Sequence, residues 1–550
     1  MDNSEFSWAE VGEIAGTKIT LVGEDTPGVE TLVLPRSGLV VLTENAFPYL
    51  VRALKEFDLE SLARLVATVS ARRINVNTRR TNPLVTGGQG SHPLLRDYLL
   101  ALALKLALGD FDRPTASGAI PTGLDLARLC RLAVSSRCDA DTEDLIPAEF
   151  LTRLAYQQFW DQETFNIWPR GLMMLRDMVR VMADEDRYDI DKAFADLYGL
   201  GFTDFVFLSF ALFSMSIRQP GCRFDVDNFI SSPSFEIGGE EAELFLDLIS
   251  ISLADYREQA NDSDLCQVGF DLYNFNPLIN WPALRVNAGG VVVPIARLLL
   301  DRAIRGIYYD FFGQLSTTAA GRFGNFWGKA FDTYVGEILR ATPGLPEPYK
   351  GEDLVGEGSA CDWAFPCGDR WVLVECKTRG LTLESKTTGR TSAVEQDILG
   401  RLDGSSLPKG IAQLGETQAT LKEKGVIPSK TECIGMLVTF DQMYFANDDR
   451  FPTIDFLRRG AKSLSDQPTP EFVVASISEL ENVCRAVETR NCDLGEALAN
   501  KVRIRETRRQ DLGLFINQTY KPPPQPISFH SEFLRRGMEE LLAEFQREVL

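Results

Sequence analysis

Apolar and polar positions recur with two different periods along this chain, and the places where one period yields to the other mark its organisation. Residues 1–90 mix short runs of strand period, over 18–22, 31–34 and 39–42, with a helical period over 46–68 and a glycine-rich stretch at 86–90. From residue 94 to about 312 the helical period dominates. Apolar side chains recur three and four apart around 98–108, 149–159, 170–182 and 240–253, between clusters of Pro, Gly and Asp. No repeat of fixed length is present, so nothing supports a solenoid. Near residue 320 the character changes. A helix after Gly321 gives way to Gly/Pro-rich connectors and to apolar runs bounded by turns at 359–365, 371–376, 433–440 and 472–476, with helical stretches between them. That alternation predicts an α/β domain on a central mixed sheet. Past residue 490 come a basic segment, a proline-rich linker at 521–526 and an amphipathic stretch with Leu534, Met538, Leu541, Leu542, Phe545 and Val549 at helical spacing. Such a tail is expected to dock on its own protein.

A chain of 550 residues exceeds what one hydrophobic core holds. The expected fold is multidomain. It has a small mixed α/β segment over 1–90, a mostly α-helical region over 91–315, an α/β domain over 316–490 and a C-terminal helical tail over 491–550.

Candidate chemistry concentrates in residues 359–377, SACDWAFPCGDRWVLVECK. Gly368-Asp369 suits a two-residue hairpin turn. Closing the hairpin there pairs Cys367 with Arg370, and equal steps back set Asp362 opposite Glu375, with Cβ atoms roughly 5 Å apart. Alternation places Lys377 on the face of Glu375 and turns Val372, Val374 and Cys376 to the other, toward the core. Two carboxylates converging inside a protein repel each other and resist desolvation unless a cation or proton compensates them. Mg²⁺ fits, because one or two carboxylates hold it while waters and phosphate oxygens complete its shell. Mn²⁺ is the expected substitute. The ion lowers the pKa of a bound water, and Lys377 orients or deprotonates the nucleophile and counters negative charge. These are the parts of phosphodiester hydrolysis. The plainer reading of the same spacing is a hairpin with a surface Asp362 and a structural pair of Glu375 and Lys377.

Composition narrows the alternatives. Hydrophobic residues make up 44% and charged residues 25%, the proportions of a globular chain. Cysteines are scattered singly from Cys130 to Cys492 without a CxxC pair, which opposes a zinc ribbon or a disulfide framework and suits a cytoplasmic protein. The N-terminus is acidic and lacks the pattern of a secretory signal. The most apolar segment, 202–217, carries Asp204, is short for a bilayer, and is expected to be a buried core helix, so no membrane partner is expected. With only His92 and His530 in the sequence, carboxylates and lysines must carry any chemistry. A formal net charge of −21 opposes a nucleic-acid partner, yet basic residues cluster late: Arg458, Arg459 and Lys462, then Lys501, Arg503, Arg505, Arg508 and Arg509. These clusters read either as a solvated face or as a track for phosphates.

An acid at a strand end, a turn and an apolar strand ending in Glu-x-Lys resemble the PD-(D/E)xK nuclease superfamily, the restriction-endonuclease-like fold, over roughly residues 320–485. The resemblance implies a Mg²⁺-dependent endonuclease. It makes Asp362, Glu375 and Lys377 catalytic, and places the metal at Asp362, Glu375 and Cys376. A preceding helix often contributes another acid within a pattern like G-x-x-F-E-x-Y-V. Here that stretch holds Gly328, Phe331, Asp332, Tyr334 and Val335, so Asp332 stands in the acid's place. The helical wheel instead puts Glu337 nearer the apolar side, and both stay open. A following helix often directs a Gln at the site. KGIAQL supplies Gln413, with Lys409 one turn earlier as a nucleic-acid contact beside Arg503, Arg505, Arg508 and Arg509. Cys361 replaces the family's proline.

By analogy with restriction and abortive-infection effectors, the resemblance implies double-stranded DNA as substrate and a bacterial role in defence against phage. It also implies a helical region that senses, forms a homo-oligomer or recruits a partner protein. Two other readings stand beside it. One is a scaffold that keeps the fold without catalysis, which predicts no Mg²⁺ binding and a tolerated Lys377→Ala. The other is a nuclease for RNA or tRNA, although no RNA-binding module is visible.

Overall fold

The computed structural model describes residues 8–14, 17–22, 29–34, 38–43, 53–78, 97–109, 118–135, 147–158, 167–178, 182, 187–230, 238–261, 276–286, 289–314, 317–356, 358–400, 406–490, 492–523 and 527–532. The chain divides into two compact units. One comprises Met1–Leu145, Gln157–Gln162 and Asp189–Leu315; the other comprises Ile146–Tyr156, Glu163–Tyr188 and Ser316–Leu550.

The first unit contains an antiparallel sheet in sequence order, β1 (Trp8–Ile14), β2 (Thr17–Val22), β3 (Val29–Leu34) and β4 (Gly38–Thr43). The last three coincide with runs of strand period. β1 is an addition, because its register shifts between Glu10 and Gly12 and the bulge breaks the alternation that would announce it. Helices Leu59–Thr78, Asp97–Gly109 and Gly123–Ser135 interlock through Leu62, Val66, Leu99, Leu104, Leu126 and Leu129. Each such side chain, fully buried, contributes about 1.5–3 kcal/mol. The helical period at 46–68 therefore settles further along, as Leu59–Thr78, and the stretch at 86–90 lies outside the described residues.

Helix Phe202–Arg218 buries Phe202, Phe205, Leu208 and Leu212 as the core helix expected there, while Phe207 and Phe210 are exposed. It forms an apolar pair with Ile190–Tyr198, bent by 79°. Among the described residues no single helix is long and apolar enough to cross a membrane. Helix Gly239–Ile249 runs into a small sheet of β5 (Ser250–Ile251), β6 (Ala283–Arg285) and β7 (Val291–Val292).

The second unit is built on a five-stranded mixed sheet of β8 (Tyr349–Lys350), β9 (Trp363–Cys367), β10 (Arg370–Lys377), β11 (Glu432–Thr439) and β12 (Glu471–Ser476), in spatial order β12-β11-β10-β9-β8. β9 and β10 form the expected hairpin. Cys367 pairs with Arg370 and Trp363 with Val374, and Gly368 takes a φ of 61° at the first turn position, as a tight two-residue loop requires. β10, β11 and β12 run parallel, so the connections between them must cross over.

Helix α1 (Thr317–Ala341) packs on the face carrying Trp363. A Cβ on Gly336 would lie 1.9 Å from the Trp363 ring, so only glycine admits this approach. Helix α2 (Leu407–Glu423) covers the opposite face, where Ile411 and Leu414 join Leu373 and Leu437 in one core. Its N-terminus is capped by Ser406, whose side chain accepts from the Lys409 amide.

Segments 146–156 and 163–188, expected within a separate helical region spanning 91–315, lie with this second unit. The reason is electrostatic as well as apolar. Arg170 on helix Ile167–Leu172 is buried against Glu481 of α3 (Ile477–Arg490) at 2.7 Å, and the Glu149 carboxylate accepts from the Thr391 amide. Residues beyond 490 also belong to this unit, where Ile527 and His530 are fully buried. The amphipathic stretch at 534–549 lies outside the described residues.

Candidate metal-dependent active site

The paired register of the hairpin ends at Trp363 and Val374, so the expected pairing of Asp362 with Glu375 does not form, and the Asp362 carboxylate gathers instead with Asp332 and Cys376. Asp362 has left the strand there. Its Oδ2 accepts from the Cys376 amide at 2.7 Å, which pins the carboxylate to the end of β10.

On the α2 face, Lys377 Nζ donates to Glu375 Oε1 at 2.6 Å and to Gln413 Oε1 at 3.1 Å. Gln413 Nε2 in turn donates to the Ala360 carbonyl at 3.2 Å, so the helix and the loop before β9 hold the lysine between them. A Cβ on Gly410 would lie 3.0 Å from Glu375 Cγ and 3.1 Å from Lys377 Cε. The glycine, one turn before Gln413, thus lets α2 sit directly against the acid and the lysine.

On the α1 face stands Asp332, buried at 7% exposure. Its Oδ2 accepts from Lys350 Nζ at 2.6 Å, and that ammonium lies 3.9 Å from the centre of the Trp363 ring. Glu337 points elsewhere and pairs with Arg340. Of the two candidates on this helix, the structure brings Asp332 to the site. Periodicity favoured Glu337 because it assumed one apolar stripe, whereas α1 is also buried where Lys350 and Trp363 meet Asp332.

Cys376 follows the alternation and turns away from Glu375, but not into a purely apolar core. Its Sγ and one carboxylate oxygen each from Asp332 and Asp362 lie within 4.8 Å of one another.

The electrostatics of the centre are those of crowded acid. Burial, and then the charge of Asp332, push the Asp362 carboxyl up to about 6. Burial and the charge of Asp362 push Glu375 well above the usual carboxylate range. Burial works against the charge on Lys377, but Glu375 and Asp362 outweigh it and hold the ammonium above its ordinary value. Two buried carboxylate oxygens, Asp332 Oδ1 and Glu375 Oε2, have no hydrogen-bond partner. Unpaired oxygens of this kind are costly, and an added cation answers the cost. Three acids facing two lysines leave room for such a charge. The ligand atoms that lie close enough to share one ion, among the described residues, are those of Asp332, Asp362 and Cys376, with Glu375 electrostatically linked to both aspartates.

Beyond Lys377, a cleft of about 460 Å³ is lined by Arg379, Thr382, Gln396 and Asp397 among others.

The remaining basic candidates are dispersed. Lys409 pairs with Glu416 along α2. Arg503 pairs with Glu432, Arg509 with Asp449, and Arg508 Nε donates to the Val502 carbonyl, while Arg505 is exposed. Lys501 does not belong to a surface cluster. It is buried, its Nζ donates to the Arg508 carbonyl, and burial holds it down to about 8. Arg458 and Arg459 face Glu471 and Glu395. Nearly every arginine of the proposed track thus already has an acidic or carbonyl partner.

His530 is buried against Tyr334 and Glu481, and burial pulls its pKa down to about 4, so it stays neutral and structural; His92 lies outside the described residues.

Sequence reasoning missed Lys350, and it set Cys376 with Asp362 and Glu375 at the metal, whereas its acidic neighbours here are Asp332 and Asp362. Lys350 sits on a strand of two residues, too short to show a period, and its relation to Asp332 exists only once α1 has packed. For Cys376 the alternation was legible, but not the acid waiting on the far face. The chain matches no protein-family model, no curated protein and no solved structure.

Proposed function

We propose that the second unit is a metal-dependent endonuclease that hydrolyses phosphodiester bonds, with DNA as its substrate. The observation that carries this reading is the gathering of Asp332 and Asp362, with Glu375 feeling the charge of both and holding the Lys377 ammonium, and with unpartnered buried oxygens on Asp332 and Glu375. The order of parts supports it too. A helix bearing an acid, a hairpin ending in Glu-x-Lys and a helix bearing Gln are what the PD-(D/E)xK resemblance calls for.

Asp362 and Glu375 would hold Mg²⁺, with Asp332 beside them. The ion, when bound, would neutralise charge on the scissile phosphate and lower the pKa of its water. Lys377 keeps its proton, because the flanking carboxylates favour the charged form. It therefore orients and stabilises charge rather than serving as the base. Gln413 fixes the direction of that ammonium and leaves Lys377 less free to swing away.

Access is proposed to be conditional. The net charge of −21 repels a polyanion, and Arg503 and Arg509 reach phosphates only by leaving acidic partners. Assembly, or a partner protein on the helical unit, would supply the missing positive surface. Full-rate cleavage of DNA by the monomer would remove this gating.

The test is cleavage of plasmid, linear and single-stranded DNA and RNA with Mg²⁺, Mn²⁺ or EDTA, comparing wild type with Glu375→Ala and Lys377→Ala. Loss of a preorganised charge-stabilising donor typically costs about 10²–10³-fold in kcat, so both variants should fall at least that far. Equal cleavage by wild type and both variants, or cleavage surviving EDTA, would dismiss the reading.

A further inference from the structure

The two faces of β10 offer different chemistry at its C-terminal end. The α2 face presents the Glu375 carboxylate paired with the Lys377 ammonium, while the α1 face presents the Cys376 thiol beside Asp332 and Asp362. We propose that Asp332, Asp362 and Cys376 form a mixed oxygen and sulfur position that selects thiophilic divalent ions such as Zn²⁺ or Cd²⁺ over Mg²⁺. Its bearing on cleavage rests on the nuclease reading; the binding itself does not.

Three observations carry the position. The first is geometry. Zn–O distances of about 2.0–2.2 Å and Zn–S of about 2.3 Å put the ligands of a tetrahedral ion roughly 3.5 Å apart. The three atoms here already lie within 4.8 Å, so rotamer adjustments rather than backbone movements close the shell. Three protein ligands leave a fourth place open for water or a phosphate oxygen.

The second observation is the state of Asp332. It is 7% exposed, yet its Oδ1 has no partner, which leaves a ligand atom unspent in the interior.

The third is Lys350. Its ammonium lies on Asp332 Oδ2 at 2.6 Å, already serving this face as a resident cation. A divalent ion must share Asp332 with it, so Lys350 sets the affinity. Sulfur decides which ion succeeds. The Cys376 thiol gives its proton to solvent as the ion binds, and the resulting thiolate repays a borderline-soft ion for displacing that charge while offering little to Mg²⁺, which keeps oxygen ligands in near-octahedral array.

In the proposed nuclease, occupancy here would take Asp362 from the catalytic ion, since both positions use it. Thiophilic ions would then inhibit, and Cys376→Ser would relieve the inhibition.

Binding is tested on the full chain by calorimetric titration with Cd²⁺ and, separately, Mg²⁺, together with the ultraviolet absorption of thiolate-to-cadmium charge transfer. Wild type should bind Cd²⁺ with a charge-transfer band. Cys376→Ser should lose the band's site-specific part and weaken Cd²⁺ by about tenfold or more, with Mg²⁺ affinity nearly unchanged. Asp332→Asn should weaken Cd²⁺ while leaving the thiol in place, and Lys350→Met should tighten it. The proposal is overturned if Cys376→Ser binds Cd²⁺ as wild type does, or if Cys376→Ser loses Mg²⁺ and Cd²⁺ equally. Cys376-dependent Cd²⁺ binding without any Mg²⁺ binding would sink the nuclease reading alone. Mg²⁺-dependent cleavage with no Cys376-dependent band would sink this position alone.

Discussion

Burial and the neighbouring charge of Asp332 raise the Asp362 carboxyl from an ordinary 3.8 to about 6, so the folded protein holds a proton there that the unfolded chain gives up. The stability this proton contributes is fully present below about pH 3.8 and is lost as pH rises through 6. A shift of that size corresponds to on the order of 3 kcal/mol. Asp362→Asn removes the charge and keeps the shape. In EDTA it is expected to melt higher than wild type at about pH 7.5 and to flatten the fall in melting temperature between about pH 4 and 6. Saturating Mg²⁺ should raise wild type and leave the variant where it was. A variant that melts lower than wild type at pH 7.5 in EDTA would show that the Asp362 charge stabilises the fold instead. Legibility at this scale followed spacing. Glu375 and Lys377 lie two positions apart, and alternation placed them on one face, whereas Asp362, just before its strand, joins Asp332 and Cys376 instead. Asp332 needed a resemblance, because thirty residues separate it from Asp362 and only helix packing joins them. Lys350 left no trace in the pattern.

Among elements, those with a strong local period were readable and those defined by a distant partner were not. The β9–β10 hairpin, β11 and β12 stand where apolar runs ended at turns. Helix Ile167–Leu172, continuing as the π-turn Met173–Asp177, also lies within a readable helical period, yet nothing local says which core it joins. The answer is an ion pair across 311 positions. Arg170 Nε and Nη2 each donate to a Glu481 carboxylate oxygen, Oε1 also accepts from Tyr334, and the two charged side chains are 2% and 0% exposed. Burial works to raise Glu481, but the Arg170 charge and hydrogen bonds outweigh it and hold the carboxyl below its ordinary value. Removing one partner of such a pair costs about 3–5 kcal/mol, because the other charge is left buried. Arg170→Met should therefore lower the denaturation free energy by roughly that amount, and adding Glu481→Gln should restore part of it. Additive losses in the double variant, read from denaturant titrations, would mean the two residues do not act as a pair.

At the scale of the whole molecule the chain's linear order and its spatial order differ, and the difference has consequences for dissecting the protein. The apolar pattern placed a domain boundary near residue 316, and a fragment cut there would contain all of Asp332, Asp362, Glu375, Lys377 and Gln413. It would also lack 146–156 and 163–188, which belong to the same compact unit. Among the anchors that would go with them are Arg170 on Glu481, Arg153 on the Thr387 carbonyl, Glu149 on the Thr391 amide, and Tyr156, whose ring stands 5.0 Å from that of Tyr444. Loss of the first alone leaves a buried carboxylate uncompensated at about 3–5 kcal/mol, a large share of the 5–15 kcal/mol that holds an ordinary domain folded. Fragment 316–550 is thus expected to unfold cooperatively at much lower denaturant than the full chain, or to aggregate, whereas a fragment starting at 146 keeps every anchor. Adding the peptide 146–188 to fragment 316–550 should recover stability in proportion to its concentration, since it binds the native state alone. A fragment 316–550 as stable as fragment 146–550 would place the second unit's energetic boundary at 316 and reduce the long-range anchors to ornaments of the fold.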